Sequence, residues 1–278
     1  MTLHKDFKTI RRASGLLAIF ILAGCASREP ADGPAQSGTA VPTELPSDPT
    51  PRAEPRSRYG NGPVYEVFGK RYQVMKSNYG FRERGVASWY GKKFHGRPTS
   101  SQEPYDMYAM TAAHKTLPLP SFVEVRNLRN NRTVIVRVND RGPFVDNRII
   151  DLSYSAAKKL DMIRDGTSLV EITAISFDKP AAAARQGAPP PASITAQQST
   201  VASLYVQVGA FGDKSNARRR FSLLRENGIR EAFVYEEKGR SPSLYRVRIG
   251  PIANVDQYDS VVAMLGDMGI TETHLVTD

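Results

Sequence analysis

Residues 134–144 read VIVRVNDRGPF, a stretch that predicts both a strand and a chemical site. Val134, Val136 and Val138 recur at every second position, which is the period of a β-strand with one buried face. The alternation ends at Asp140, and an Arg-Gly-Pro turn follows. On this pattern Asp140 lies on the same side as the valines, so we expect a short strand that carries a carboxylate to the lip of a barrel.

Other rare residue types lie close by in the sequence. They occur in GVASWYG at 85–91, QEPYDMYAMTAAHKTLP at 102–118 and RIIDLS at 148–153. The first of these motifs contains the only Trp of the chain. The second supplies Glu103, Asp106 and His114, which together with Asp140 make a candidate acid–base group. The residues by themselves indicate an acidic site and no particular reaction.

The region around these motifs shows the pattern of a small barrel. Apolar residues also alternate at Val123 and Val125 and over 169–173, which predicts further short strands. One helix is predicted to begin at Ser153, and residues 59–83 are predicted to add a hairpin before the barrel. Many short strands with one small helix favour a compact barrel, although periodicity does not select its topology.

The C-terminal region contains a near repeat. SLYVQVGAF at 203–211 returns as SLYRVRIGPI at 243–252. Each copy is followed by a helical pattern, over about 214–227 and 255–268, that ends at a glycine. The repeat predicts a βαββαβ unit in which two helices cover one face of a four-stranded antiparallel sheet.

Strand alternation assigns side chains to the two faces of this sheet. The residues expected to face the helices are Val206, Val208, Tyr245, Val247 and Ile249. The residues expected on the outer face are Tyr205, Gln207, Arg246 and Arg248. Such a face can hydrogen-bond sugar hydroxyls and amides, or it can be plain solvated surface.

Two stretches have the composition of disordered chain. Residues 25–58 and 179–202 are rich in Pro, Ala and Ser and poor in large apolar residues, so they cannot bury enough surface to offset the entropy of ordering. We expect a tether over 25–58 and a linker over 179–202. The folded regions are then expected at 59–178 and 203–278.

The N-terminus has the pattern of an export signal over residues 1–24. Four basic residues precede an apolar run, Leu16 to Ala23, that is too short to span a bilayer permanently. Leu-Ala-Gly-Cys at 22–25 resembles the bacterial lipoprotein processing box, in which Cys25 is acylated; an ordinary signal peptide with an incidental cysteine is the alternative. Several acyl chains anchor stably. Ala26 in place of Asp favours the periplasmic face of the outer membrane.

Charge and composition limit the partners. The net charge of +10 suits anionic polymers outside the cytoplasm, such as cell-wall carboxylates and lipid head groups, or it is only a solvated surface. No nucleic-acid motif is present, and an exported chain does not meet the genome. Four histidines and one cysteine show no ligand spacing, so we expect no metal and no cofactor.

In this order, GVASWYG, TAAHKTLP, NDRGPF and RIIDLS resemble the rare lipoprotein A family over residues 84–177. The resemblance implies a six-stranded double-psi β-barrel and a septal lytic transglycosylase. The VQVGAF repeat resembles a SPOR domain, which implies binding to septal peptidoglycan whose glycan strands have lost their stem peptides. The family motif carries over to Glu103, Asp106, His114 and Asp140.

A lytic transglycosylase lets the 6-hydroxyl of N-acetylmuramic acid attack its own anomeric carbon, so one residue can act first as acid and then as base. We expect Asp140 to be that acid, with its pKa raised by Glu103 and Asp106 and with His114 holding one carboxylate ionised. Asp140 can instead cap a turn, and His114 can be a satisfied structural histidine.

Three further assignments are made from the sequence. Trp89 and Tyr90 belong either to the core or to a stacking platform for a sugar ring. Asp151 is expected to be structural and to accept the N-terminal amides of the following helix. Residues 99–103 read TSSQE where the family usually has Thr-Ala-Asn-Gly-Glu, so the placement of Glu103 needs a turn without Asn-Gly.

The sequence thus predicts a lipid-anchored enzyme that cleaves stripped glycan strands at the division septum and gives 1,6-anhydro ends. A rival prediction is a non-catalytic wall-binding module like the expansins. A further alternative is a structural protein that tethers the divisome, the protein assembly at the division site. In that case only the C-terminal domain has a function, and the divisome proteins are its partners.

Overall fold

The computed structural model describes residues 44–145, 147–177, 203–237 and 242–277. The predicted export signal, Cys25 and the predicted linker at 179–202 lie outside these residues. Within the described part of the chain, no helix has both the length and the apolar character needed to cross a membrane.

The first folded region begins with a hairpin and closes into a barrel. The hairpin strands are β1 Val64–Val67 and β2 Lys70–Gln73, as predicted. The barrel strands are β3 Arg82–Tyr90, β4 Thr111–His114, β5 Ser121–Asn127, β6 Thr133–Asp140, β7 Arg148–Ser153 and β8 Ser168–Ile175. They close in the order β3-β7-β4-β6-β5-β8, with β3–β7 and β4–β6 parallel and the other pairs antiparallel. The predicted six-stranded double-psi barrel is confirmed.

The valine rows of the sequence form the inside of this barrel. Val123, Val125, Val136 and Val138 are fully buried, and Val134 is nearly so. Burying one such side chain contributes about 1.5–3 kcal/mol relative to leaving it in water. The barrel interior is therefore a packed core, and its chemistry must lie on the rims and outer faces.

A single helix, α1 Tyr154–Lys159, follows β7. Its N-terminus is capped by Ser153, whose side chain accepts a hydrogen bond from the backbone N–H of Ala156. The predicted helix start is therefore confirmed. The prediction that Asp151 serves this helix as a cap is wrong, because Ser153 fills that place and Asp151 lies two residues earlier within the strand.

The second folded region has the predicted repeat. Its elements are β9 Leu204–Phe211, α2 Lys214–Glu226, β10 Ala232–Glu237, β11 Leu244–Ile249, α3 Val255–Asp267 and β12 His274–Thr277. The sheet order is β10-β11-β9-β12, and every pairing is antiparallel. Asp213 and Asn254 cap the two helices through their side-chain oxygens. The predicted SPOR architecture is confirmed.

Residues 44–58, which we call the N-terminal strap, differ from the prediction. The sequence places them in a disordered tether, but here they are bound to the barrel. Asp48 accepts from the backbone N–H of Ile135 at 2.7 Å and from Lys159 Nζ at 2.6 Å. Ser57 N donates to the carbonyl of Leu119 at 2.9 Å. Polar pairing therefore orders a segment whose composition gave no apolar signal.

The two folded regions also contact each other. Val86, Leu128 and Leu169 of the barrel belong to the same apolar cluster as the core of the second region. Arg84 Nη1 donates to Thr277 Oγ1 at 3.1 Å. The barrel therefore buries part of its outer surface against the C-terminal domain.

Candidate active site

Four neighbouring strands bring one row of small and acidic residues together. Strand β4 lies between β6 and β7, and Ala113 is paired with Asp140 on one side and with Asp151 on the other. Ser88 of β3 is the partner of Asp151 on the next strand. Asp140, Ala113, Asp151 and Ser88 therefore follow one another across the sheet, and we call this set the acid row.

A bulge places Asp140 in this row. Ala112 pairs with Val138, but the next residue, Ala113, pairs with Asp140, so β6 has one extra residue, Asn139, at this point. Because adjacent residues of β4 face opposite sides, Asp140 shares the face of Ala113 and not that of Val138. The sequence-based prediction that Asp140 continues the valine side is wrong, since strict alternation stops at the bulge.

Asp140 is held at one oxygen by three donors. Ser100 N, Ser100 Oγ and Arg141 N each lie 2.7 Å from Oδ1. Such a set of donors suits an ionised carboxylate. Ser100 belongs to the tripeptide that departs from the family pattern, and its hydroxyl supplies a contact that the usual alanine cannot.

Asp151 has the opposite environment. Burial raises its pKa, and Asp140 acts in the same direction. Its hydrogen bond from Ser88 and the charges of Arg148 and Lys115 lower the pKa without cancelling the rise. Asp151 therefore keeps its proton to a higher pH than an ordinary aspartate. The electrostatics, like the strand pairing, join Asp140 to Asp151, whereas the sequence prediction joined it to Glu103 and Asp106.

Tyr90 lies on the same side of β3 as Ser88, beside the acid row, and its hydroxyl interacts electrostatically with both carboxylates. Burial raises the pKa of Tyr90 well above its usual value, and Tyr105, Asp140 and Asp151 add to the rise. The hydroxyl lies near Thr111, yet among the described residues neither group makes a hydrogen bond of good geometry. A buried O–H donor therefore faces the acid row.

Glu103 belongs to a separate ionic cluster. Its two oxygens accept from Arg137 Nη1 and Nη2 at 2.7 and 3.0 Å, and Asn139 Nδ2 donates at 2.8 Å. Burial alone would raise the pKa of Glu103, but the bonds from Arg137 and Asn139 lower it overall. Arg137 Nη2 also contacts Glu54 of the strap at 2.8 Å. Glu103 is thus an ionised anchor that holds the loop before it against β6.

Asp106 and His114, the other two candidates, have local partners. Asp106 is 56% exposed, and it accepts from the backbone N–H of Tyr108 at 2.9 Å and lies 3.7 Å from His95 Nδ1. His114 is 2% exposed; its Nδ1 accepts from two backbone amides and its Nε2 lies 3.6 Å from Glu83. Burial lowers the pKa of His114 and keeps it neutral.

These contacts answer the open question on His114. The prediction that it hydrogen-bonds one of the site carboxylates is not supported, because its contacts are with Glu83 and with the turn that follows β4. The structural alternative describes its geometry.

The aromatic residues divide between core and surface. Tyr90 is 8% exposed and stacks on Tyr105 at 4.0 Å between ring centroids, so it offers no open face to a sugar. Trp89 is partly buried and packs edge-on against Tyr154 at 5.7 Å, and Tyr108 also packs edge-on against Tyr154, at 6.2 Å. Of the two predicted platform residues, only Trp89 keeps exposed surface.

On the outer face of the C-terminal sheet, the two predicted arginines are in contact with neighbouring side chains. Arg248 lies over the rings of Tyr235 at 4.4 Å and Tyr205 at 5.9 Å. Arg246 pairs with Glu237 at 2.9 Å, and it donates to Gln207 at 3.4 Å. The face assignment agrees with these contacts, although Gln207 and Arg248 are each only 8% exposed.

Sequence reasoning missed Ser88, Ser100 and Glu54, and it gave Asp151 a capping role that Ser153 fills. RIIDLS did contain a usable signal, since an aspartate between Ile150 and Leu152 faces away from the barrel interior. The strap gave no signal, because its contacts are polar and distant in sequence. In the described part of the chain, no three His, Cys, Asp or Glu side chains are grouped to hold a metal ion.

Comparison with known proteins agrees with this architecture. The family described as lytic transglycolase matches residues 82–172, and the SPOR domain matches residues 201–272. A Vibrio cholerae protein named endolytic peptidoglycan transglycosylase RlpA is 51% identical over 59% of this chain, which spans 64% of that relative's length. A protein of the same name from Neisseria meningitidis serogroup A is 40% identical over 69% of this chain and 75% of its own length.

A Pseudomonas aeruginosa protein, also named endolytic peptidoglycan transglycosylase RlpA, is 36% identical over 90% of this chain and 92% of its own length. A likeness of that extent includes the barrel and the C-terminal sheet together. The chain therefore belongs to the rare lipoprotein A (RlpA) family of lytic transglycosylases.

Proposed function

We propose that this protein is an endolytic peptidoglycan transglycosylase that cleaves glycan strands and leaves 1,6-anhydro-N-acetylmuramic acid ends. The observation that carries the proposal is the acid row, in which two carboxyl groups of different environment flank the small side chain of Ala113. The family names of the relatives support the same reaction class.

The acid row has the groups that glycosidic cleavage needs. The leaving oxygen requires a proton, and the positive charge that develops at the anomeric carbon is stabilised by a carboxylate. Asp140, with three donors at Oδ1, suits the carboxylate role. Intramolecular attack by the 6-hydroxyl removes the need for a positioned water.

The C-terminal sheet is proposed to direct the enzyme to septal glycan strands without stem peptides. Tyr205, Arg246 and Arg248 lie on one face, where stacked and charged groups can contact sugar rings and hydroxyls. The match to the SPOR domain over residues 201–272 supports this target. Fluorescence of the tagged domain on dividing cells tests it, and even staining around the cell would contradict it.

Acylation at Cys25 is proposed to hold the protein at the periplasmic face of the outer membrane, near the proteins of the divisome. The Leu-Ala-Gly-Cys box and Ala26 support this. Membrane fractionation of a Cys25→Ser variant is the test, since unchanged processing and attachment would exclude this anchor.

The reaction is tested with residues 44–278, which keep the strap on the barrel. The purified protein is incubated with peptide-stripped glycan strands, and the products are identified by mass spectrometry. Anhydro ends support the proposal, reducing ends indicate hydrolysis, and a wild-type protein that binds strands without cutting them supports the expansin-like rival.

Asp140→Asn is expected to lower the rate by about a hundredfold to a thousandfold while the fold is retained, because the amide has the same shape but no charge to stabilise the positive anomeric carbon. Asp161→Asn is the matched control. Asp161 is exposed, and its φ of 59° is one that Asn tolerates. Activity of Asp140→Asn equal to that of this control would remove Asp140 from the site.

A further inference from the structure

We propose that Asp151 is the proton carrier of the reaction: it protonates the leaving glycosidic oxygen and then accepts the proton of the attacking 6-hydroxyl. The proposal rests on the transglycosylase function above and assigns the roles within it. Asp140 then acts as the ionised partner across Ala113.

The position of Asp151 gives it access to the same substrate atoms as Asp140. The two residues are separated by one strand, so their backbones lie about 10 Å apart, and both side chains leave the sheet on the face of Ala113. Ala113, which lies between them, has only a methyl group as its side chain. The acid row therefore presents two carboxyl groups, each partly exposed, on one face of the sheet, where both can approach the same scissile bond.

The loop after β6 covers Ala113 and packs beside Asp151. Gly142 is buried and has a φ of 140°, and a Cβ at this position would lie 3.8 Å from both Ala113 Cβ and Asp151 Oδ2. The backbone of the loop thus packs directly beside the Asp151 carboxyl, which limits the access of water to that side. A larger residue at Gly142 would fill the space next to the acid.

The polar and charged groups that act on Asp151 come from β3, β6, the start of β7 and the residue after β4. Ser88 of β3 donates a hydrogen bond, Arg148 and Lys115 contribute positive charge, and Asp140 contributes negative charge from β6. Burial is the largest influence and raises the pKa of Asp151 despite these cations. Such a carboxyl group keeps its proton to a higher pH than an ordinary aspartate, which is the direction of shift that a general acid needs.

The buried Tyr90 hydroxyl is a second, independent indication of a ligand at this place. It lies near Asp140 and Asp151, and it has no well-formed hydrogen bond among the described residues. A native structure rarely leaves a buried donor unpaired. A substrate oxygen between the carboxyl groups would provide its acceptor.

The proposed cycle is balanced. The Asp151 proton moves to the leaving 4-oxygen as the bond between that oxygen and the muramic C1 breaks. The 6-oxygen of the same muramic residue forms the new bond to C1, and its proton passes to the Asp151 carboxylate. Asp151 ends as it began, so neither water nor a further reactant is consumed. The Asp140 carboxylate stabilises the positive charge at C1 without transferring a proton.

Ser88 is proposed as a positioning residue, because it acts through Asp151. Its hydrogen bond stabilises the ionised form of Asp151, so its removal must raise the pKa of Asp151 further. Since the acid form is the active one, the alkaline limb of the pH–rate profile of Ser88→Ala is expected to move upward by about one pH unit. A merely structural serine would lower the rate at all pH values without moving this limb.

The experiment compares Asp151→Asn, Ser88→Ala and the control Asp161→Asn in the protein of residues 44–278, with stripped glycan strands as substrate. Thermal melting establishes that each variant is folded. Asp151→Asn is expected to lose at least a hundredfold in rate, and Ser88→Ala is expected to show the shifted alkaline limb. Full activity of a folded Asp151→Asn overturns the proposal.

Two further outcomes separate a folding defect and a failure of the proposed function from a failure of the Asp151 assignment. If Asp151→Asn does not fold, Ser88→Ala decides, and an unmoved alkaline limb overturns the proposal. If the wild-type protein gives no anhydro ends, the proposed function fails. If the wild-type protein is active and Asp151→Asn is equally active, only the assignment of Asp151 is overturned.

Discussion

At the scale of single residues, the turn before Glu103 shows how a departure from the family pattern is accommodated. Gln102 has a φ of 71° at the position where the family usually has Gly. Its N–H closes the turn on the carbonyl of Thr99 at 2.8 Å. The turn therefore forms without Asn-Gly, with a strained glutamine in the left-handed region.

Relieving this strain is expected to stabilise the protein. A non-glycine residue in this region destabilises the folded state by about 1–2 kcal/mol. Glycine avoids that cost, but the greater entropy of its unfolded chain offsets about 0.5–1 kcal/mol of the gain. Gln102→Gly should therefore raise the free energy of unfolding by up to about 1 kcal/mol, as measured by urea denaturation. Gln73→Gly, in strand β2, is the control and should destabilise. A loss of stability in Gln102→Gly would contradict the turn geometry.

His114 predicts a pH dependence of stability. Burial lowers the pKa of His114 below its ordinary value of 6.5, so the unfolded chain takes up the proton first as the pH falls. Stability should therefore be constant above about pH 7 and fall as the pH drops below 6.5. His114→Asn should flatten this acid slope in thermal melts, whereas His274→Asn, at an exposed position, should leave it unchanged. An acid slope that persists in His114→Asn would assign it to other groups.

At the scale of elements, the predicted parts were those with a local signal. Alternating valines indicated β5 and β6, Ser153 indicated the start of α1, and the repeated SLY motif indicated the C-terminal sheet. The bulge at Asn139 could not be predicted, because it depends on how β4 and β6 pair and not on either strand alone. It is this bulge that moves Asp140 into the row of Asp151.

The strap supports the candidate site indirectly, through residues that do not belong to the acid row. Glu54 shares Arg137 with Glu103, and both glutamates lie within 3.0 Å of that guanidinium. Glu54→Ala should cost about 0.5–2 kcal/mol in stability and should lower the cleavage rate severalfold, because Arg137 then holds Glu103 less firmly. Melting and product assays measure the two effects. Glu44→Ala, at the exposed end of the strap, is the control, and equal behaviour of both variants would make the strap irrelevant to the site.

At the scale of the whole molecule, the family resemblance supplied the pairing of a barrel with a SPOR sheet, and periodicity alone would not have selected the double-psi topology. Neither predicted that the two folded regions share an apolar cluster. A Pro-rich linker suggests independent units, but linker composition carries no information on surfaces that meet after folding. Val86, in the GVASWYG motif, and Leu169, in an alternating run, gave no sign of a second partner.

Removal of residues 203–278 tests how far the two regions depend on each other. The isolated barrel, residues 44–177, retains the acid row, so it should still cleave soluble stripped strands at a rate similar to that of residues 44–278. It should melt at a lower temperature, because Val86, Leu128 and Leu169 lose their apolar contacts to the second region.

The isolated barrel should also lose enrichment at the septum. Leu128→Ser in the isolated barrel is the matched control, since a polar side chain suits the uncovered surface and should not change localisation. Septal enrichment of the isolated barrel would show that the C-terminal sheet does not direct the enzyme, and an unchanged melting temperature would show that the shared cluster contributes little to stability.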